Sequence, residues 1–524
     1  MANAKIESLA DIIRVHGAGR SSHPCLIEGD VSFSWGEVYE RAQRVANGLK
    51  AVGVSSKDRV VFLEKNSIAH FELAFGAALL NAVSVDVNWR LAPPEVEYIV
   101  NNAEAKVLVV GKDFVPVAEA IADKLTTVTT ILVIGGHPKY GDWNDWLLSQ
   151  KTGDPGEVQT RDDISFQLYS SGTTGLPKGV LLDNNNLLSL APMIKSIWGL
   201  DENSINMAAM PLFHIGGGGW AMAGMMQGCT TIVVREMNPA AVLDLIVEKR
   251  ITHAFLVPAV LAFMNIIPGA EDKDYSSLQV LVYGASPISE AVLTKSVEMF
   301  KCKFWQAYGL TETTGGVINL SPADHDLSSP NKHRLRSCGT PGPGVEVRIV
   351  NNDTNTDCAT GEVGEIWIRS AQVMAGYWKN PEETAKAITP DKWFKSGDAG
   401  YIDADGYVYI HDRVKDMIVS GGENVYSAEV ENAIYQHDAV AQCAVIGIPS
   451  EKWGEQVHVI VVPKEGMDVS EDDLIAHCKT LIAGFKCPRS VSYQSAPLPL
   501  SGAGKILKTE LRKPFWKDGE RNVN

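Results

Sequence analysis

Short, almost continuously apolar runs alternate with longer amphipathic segments along this chain. The runs Arg59–Leu63 (RVVFL), Lys106–Val110 (KVLVV), Ile131–Ile134 (ILVI), Thr230–Val234 (TTIVV) and Gln279–Tyr283 (QVLVY) are rich in β-branched residues. They have no polar face, so they predict strands buried on both sides. Between them, Trp35–Gly53 places Val38, Ala42, Val45, Ala46 and Leu49 on one side of a helix and stops at a glycine. Asn238–Arg250 opens on Asn-Pro, a helix start, and carries a similar apolar stripe. Strands alternating with helices predict an α/β fold.

Two shifts divide the chain. Lys151–Asp163 is polar and precedes a strand-like run, Ile164–Ser170. After Arg413 a second segment begins, roughly 110 residues long and enough for one small domain. It has its own strands, Cys443–Ile448 and Val457–Pro463, and its own helix, Ser470–Ile482. Neither an internal repeat nor a low-complexity tract is present in the sequence.

Composition narrows the function. The 524 residues predict more than one packed unit, and 45% hydrophobic with 21% charged residues is the balance of a globular protein. The formal charge of −16 repels nucleic acid and anionic membrane, so an anionic substrate needs a local basic patch. The eight cysteines, from Cys25 to Cys487, form no CxxC pair. A disulfide framework and a structural zinc site are therefore poorly supported, and free thiols in a reducing cytoplasm are expected. The first residues lack the apolar core of a secretory signal, and the last four, RNVN, match no lipidation or peroxisomal signal. The longest apolar segments, Phe71–Leu80 and Ala254–Met264, are too short to span a bilayer.

The stretch Tyr169–Gly179, YSSGTTGLPKG, carries the first chemistry. Its glycines let backbone N–H groups converge on one point, its hydroxyls add donors, and Lys178 adds a point charge, a set suited to polyphosphate. It is not a Walker A loop, because Pro177 precedes the lysine and Gly179 follows it, where Gly and Ser/Thr are required. On composition alone a flexible Ser/Gly linker fits as well.

Further segments agree in order along nearly the whole chain. SGTTGLPKGV resembles the phosphate loop of the adenylate-forming (ANL) superfamily, which includes acyl-CoA synthetases, luciferases and peptide-synthetase adenylation domains. Gln306–Thr313 (QAYGLTET) looks like its adenine and metal segment, and Tyr283–Ile288 (YGASPI) like the other wall of the adenine slot. Trp393–Asp398 (WFKSGD), Asp412–Glu431 and Leu498–Arg512 (LPLSGAGKILKTELR) resemble the ribose, hinge and terminal-lysine motifs.

The resemblance implies a large N-terminal domain of packed α/β sheets with a β-subdomain, residues 1–413. It also implies a hinge at 414–416, about Lys415, and a small mobile α+β C-terminal domain, 417–524. By the same resemblance, ATP is bound by Ser170, Ser171, Gly172, Thr173, Thr174, Gly175 and Lys178. The rest of that site comprises Gly284, Ala285, Ser286, Gln306, Ala307, Tyr308, Gly309, Thr311, Asp398 and Arg413. Glu312 is implied to hold Mg²⁺, Lys505 to bridge the carboxylate and the α-phosphate, and Thr174 and His214 to share the catalytic roles. Gly421 and Gly422 are implied to form the loop that approaches a thiol acceptor, coenzyme A.

The acid is addressed by Pro211–Trp220 (PLFHIGGGGW). His214 stands where peptide-synthetase domains have a region that holds an ammonium with aspartate, so an amino acid is disfavoured. Gly216, Gly217, Gly218 and Gly219 remove side chains from one wall, which points to a wide apolar pocket. The expected activity is ATP-dependent ligation of a medium- or long-chain fatty acid, or a bulky apolar acid such as a steroid side chain, to coenzyme A. An aryl-acid ligase and an amide synthetase are the alternatives. A small-molecule acid is the expected partner, with no nucleic acid and no transmembrane segment, and a homodimer is compatible with this reading. Asp183-Asn184 replace the family's usual Ser/Thr-His, and Ala503 replaces a common hydroxyl residue.

Overall fold

The computed structural model describes residues 5–170, 176–285, 288, 290–351, 354–413, 417–464, 466–499 and 508–516, a few of them by backbone alone. The apolar runs become strands with small shifts at their ends: Arg59–Leu63, Val107–Gly111, Thr130–Ile134, Thr230–Val233 and Val280–Gly284.

One large sheet has eight strands. Its parallel centre joins Val83–Asp86, Arg59–Leu63, Val107–Gly111 and Thr130–Ile134, and Ile164–Ser170 lies parallel to Val83–Asp86. The second large sheet has nine strands. Its parallel part includes Thr230–Val233, Ile205–Ala208, His253–Leu256, Val280–Gly284 and Lys303–Leu310. A four-stranded antiparallel sheet follows, from Glu346–Val350 to Val408–Arg413. Both large sheets contribute to one continuous apolar core. The helix Trp35–Ala51 enters it with its Val38, Ala42, Val45, Ala46 and Leu49 face, starting at a Ser34–Glu37 capping box. Ile68–Leu79 is buried on every side, which its lack of a polar face requires.

Sheet membership changes between Arg413 and Met417. The strand Val408–Arg413 closes the four-stranded sheet. Met417–Ser420 opens another, with Glu423–Tyr426, Gly454–Pro463, Val440–Ser450 and Ser490–Tyr493. Helices Ser427–Tyr435 and Glu471–Lys479 pack on this last sheet around Ile418, Val430, Val445, Val459 and Leu474. The result is a small α+β unit with its own core.

Among the described residues no helix is long and apolar enough to cross a membrane. All eight cysteines are free, and desolvation raises the pKa of buried Cys25 and Cys338.

Candidate active site

The two ends of Tyr169–Gly179 belong to one antiparallel strand pair, a hairpin. Strand Ile164–Ser170 returns as Lys178–Asp183, with Ser170 opposite Lys178 in register. A free linker would not hold its two ends together in this way. Residues 171–175 lie outside the described residues, so Ser171, Gly172, Thr173, Thr174 and Gly175 have no placement here.

The ends of the hairpin meet the segment after Lys303–Leu310. Glu312 sits in the short turn Thr311–Thr313, which closes on Thr314 in the left-handed region (φ 54°). Its Oε1 accepts from Ser170 Oγ at 3.0 Å and from the Tyr377 hydroxyl at 3.1 Å. Tyr377 arrives on the two-residue strand Gly376–Tyr377, which pairs with Lys178–Asp183. Two hydroxyls thus fix one oxygen of a buried carboxylate. A hard oxygen donor held this way fits Mg²⁺ as one carboxylate ligand beside phosphate oxygens. Lys178 pairs with Glu383, and its ammonium lies 5.1 Å from the centre of the Tyr377 ring. Lys178, and secondarily Lys386, hold the Glu383 carboxyl down at about 2.

The residues expected to bind the nucleotide lie at the ends of two neighbouring strands. Gly284 pairs with Ala307, and a Cβ on Gly284 would stand 2.1 Å from the Ala307 carbonyl oxygen. A Cβ on Gly309 would stand 1.8 Å from the Gly315 oxygen. Both glycines are there because backbone is too close for anything larger. Ala285 turns the chain with φ 67°. Tyr308 is buried and donates its hydroxyl to Asp398 Oδ2 at 2.7 Å. Burial and the Asp398 charge push its phenol pKa up. Asp398 lies opposite Arg413 in the strand pair Phe394–Ile402 and Val408–Arg413. The structure therefore gathers Gly284, Ala285, Gln306–Gly309, Thr311, Glu312 and Asp398 into one region beside the hairpin. Ser286, Lys415 and Lys505 lie outside the described residues, and Arg413 is described by its backbone alone.

His214 precedes the helix Ile215–Met226. Its Nε2 lies 3.0 Å from Glu423 Oε2, and Arg90 NH1 donates to the other oxygen of that carboxylate at 2.5 Å. Burial alone would raise the Glu423 pKa, but His214 and Arg90, with Lys486, outweigh it and lower it. Glu423 directly follows Gly421 and Gly422, so the tip of the C-terminal unit reaches His214. A Cβ on Gly422 would lie 3.5 Å from Val257 Cγ2. Gly421 is in the left-handed region (φ 63°), and a Cβ there would stand 2.7 Å from the Trp453 ring.

The four glycines after His214 correct a sequence expectation. A Cβ on Gly217 would lie 2.1 Å from the Pro211 oxygen, and one on Gly218 2.5 Å from the Leu212 oxygen. These two let the helix press onto the loop before it and do not open a wall. Gly216 faces a ring instead, 3.2 Å from Phe255. Behind it Trp220 stands 6.2 Å from Phe255 and 5.4 Å from Trp198, centre to centre.

Sequence reasoning missed Arg90, Tyr377, Glu383 and Glu423. Only Glu423 had a signal, its position next to the glycine pair. The Asn184 departure has a structural account. Its Oδ1 accepts from the Leu9 N–H at 2.9 Å and from Ser165 Oγ at 2.6 Å, tying the first helix to the hairpin strand.

Comparison with known proteins agrees with this geometry. The model of the AMP-binding enzyme family matches residues 13–378, and that of the AMP-binding enzyme C-terminal domain matches 429–505. The chain is 36% identical to a fatty acid–[acyl-carrier-protein] ligase, ScoC, of Streptomyces coeruleorubidus, over 99% of both chains. It is 35% identical to a feruloyl-CoA synthase of an Amycolatopsis species, over 96% of this chain and 98% of the relative. The solved amide bond synthetase McbA of Marinactinospora thermotolerans superposes with a TM-score of 0.87 at 27% identity, covering 97% of this chain and 99% of that one. The chain is an enzyme of the AMP-binding, adenylate-forming (ANL) family, on its acyl-CoA synthetase branch.

Proposed function

We propose that the protein is an ATP-dependent carboxylic acid–coenzyme A ligase that works through an acyl-adenylate on an apolar acid, a medium- or long-chain fatty acid or a bulky one. The observation that carries this reading is the contact of the Gly421–Gly422–Glu423 tip with His214. It brings a glycine-lined backbone to the acid end of the site, where an incoming thiol needs room.

In the first step the acid's carboxylate oxygen attacks the α-phosphorus of ATP and pyrophosphate leaves. Charge spreads over phosphoryl oxygens, so catalysis is positioning and electrostatics. Ser170 and Lys178 flank the β,γ-phosphates once Lys178 has left Glu383. Tyr308 orients Asp398, whose carboxylate accepts from ribose hydroxyls. Lys505 supplies a cation between carboxylate and α-phosphate. Glu312 would hold a Mg²⁺ ion, which would supply neutralisation of the phosphate oxygens. In the second step the C-terminal unit turns about Lys415. The coenzyme A sulfur bonds to the acyl carbon, the acyl–phosphate C–O bond breaks, and AMP and the thiol proton leave. Arg90 and Glu423 fix His214 beside that path.

A second reading, an aryl acid, has support in the Trp198, Trp220 and Phe255 rings behind Gly216. The test is mass-spectrometric detection of thioester with ATP, Mg²⁺, coenzyme A and a panel of fatty, steroid and aryl acids, with pyrophosphate followed in the same samples. Acyl-CoA formation supports the ligase and ranks the acids. Pyrophosphate without acyl-CoA from any acid overturns coenzyme A as acceptor and favours transfer to an amine or a carrier protein.

A further inference from the structure

A buried charge cluster joins the two parts of the chain away from the chemistry. Lys486 Nζ lies 2.9 Å from Glu95 Oε1 and 2.6 Å from Glu429 Oε1. Glu95 belongs to the helix Pro93–Asn102 of the large unit, and its second oxygen caps that helix by accepting from the Ala92 N–H at 2.9 Å. Glu429 is on Ser427–Tyr435, the helix that directly follows the Gly421–Gly422–Glu423 tip. The three residues are 3%, 9% and 6% exposed.

Apolar packing seals the cluster. Ala483 is buried in a cluster with Leu91, Val96 and Phe114 of the large unit, and Phe485 touches both that cluster and the core of the small one. Three ionisable groups away from water hold together only when each has its partner, because an unpaired buried charge is costly. The cluster is therefore complete in one relative arrangement of the two units, the one that sets Glu423 against His214. Any rotation that withdraws the tip also separates Lys486 from Glu95.

We propose that Lys486 is a positioning residue for the thiol step, clamping the small unit in its acyl-transfer arrangement through Glu95 while Glu429 holds the lysine from below. The assignment rests on the two-step ligase reading above. It predicts a split. Weakening the clamp disfavours the acyl-transfer arrangement and leaves adenylation, which uses the other arrangement, intact.

The experiment compares Glu95→Gln and Lys486→Met with wild type. Glu95→Gln keeps the shape and the helix cap, so it remains informative if Lys486→Met does not fold. Adenylation is read as ATP–pyrophosphate exchange without coenzyme A. Transfer is read by mixing preformed acyl-adenylate enzyme with coenzyme A in a quenched-flow instrument. Expected are unchanged exchange and transfer slowed about 10- to 100-fold, the span of a typical coupling between two states. Equal loss of both steps, or no loss of either, overturns the clamp. A third readout needs no substrate: fluorophores on encoded amino acids replacing exposed Leu148 and Met467 report the distance between the units. Glu95→Gln is expected to broaden and lengthen that distribution, and an unchanged distribution overturns the proposal. If wild type exchanges no pyrophosphate with any acid but the distance still responds, the ligase reading has failed and the clamp has not.

Discussion

The Tyr308 hydroxyl donates to Asp398 Oδ2 at 2.7 Å with both side chains buried, so the carboxylate proposed to accept from the ribose is aimed by the residue proposed to lie beside the adenine. A hydrogen bond to a charged group contributes about 1.5–3 kcal/mol. Tyr308→Phe removes it while keeping the ring. The expected outcome is a KM for ATP raised about tenfold or more, with a smaller change in the KM for the acid. Steady-state kinetics with ATP and acid varied in turn would show it, and an unchanged KM for ATP would remove Tyr308 from the nucleotide site.

Lys178 is paired with Glu383 and, to act on polyphosphate as proposed, has to leave that carboxylate. Glu383→Gln takes away the competing anion but keeps the side chain's size. ATP should then bind about 2- to 5-fold more tightly, the magnitude of a partly exposed ion pair. Lys178→Ala should weaken binding. Calorimetric titration with a non-hydrolysable ATP analogue reads both. Weaker binding by Glu383→Gln would show that Glu383 supports the phosphate site instead of competing with it.

Glu423→Gln tests the junction at His214. The substitution keeps a hydrogen-bonding group against His214 Nε2 and Arg90 but removes the charge that both face. Thioester formation from preformed adenylate should fall about tenfold or more, while pyrophosphate exchange stays near wild type. Loss of exchange to the same degree would place Glu423 in the first step.

Acid should destabilise the protein below about pH 6.5. Desolvation holds His253, His325 and His458 down at about 4 each. Between pH 6.5 and 4 the unfolded chain takes up protons that the folded one refuses, so stability falls as pH falls, by about 1.4 kcal/mol per unit for each histidine. Glu429, raised by burial against the pull of Lys486, acts with the opposite sign, because its folded state takes up a proton first. Glu28 and Asp183, also raised by burial, act with Glu429, while Asp154, Asp163 and Glu383, held low by their partners, act with the histidines. Thermal unfolding from pH 7 to 4.5 should show a falling midpoint, with a shallower slope for His458→Gln. A midpoint that rises on acidification would contradict the burial of these histidines.

The scaffold was legible because strands buried on both faces leave continuous apolar runs. Arg59–Leu63 is a strand over the whole expected span, and Val107–Gly111 is displaced by one residue because a small terminal glycine still pairs. The segments proposed to hold the nucleotide, and Asp398 among them, stood out as local words that resemble family motifs. What was hidden is what folding brings from far away: Ser170 and Tyr377 meet on Glu312, and Arg90 meets Glu423 across 333 positions. No local periodicity encodes such contacts. The glycines after His214 were ambiguous for a different reason. A missing side chain reads the same whether it makes space or admits a neighbour, and only the carbonyl oxygens of Pro211 and Leu212 decide for Gly217 and Gly218.

The tip that carries Gly421 is braced from within its own unit. Its N–H donates to the Trp453 carbonyl at 2.9 Å, and the Trp453 ring lies under the Arg489 guanidinium at 4.1 Å. Both partners in that brace, Trp453 and Arg489, belong to the small unit. If the small unit turns between the two proposed steps, the loop travels as a finished part, and moving a shaped tip into place spares the entropy of ordering a slack one.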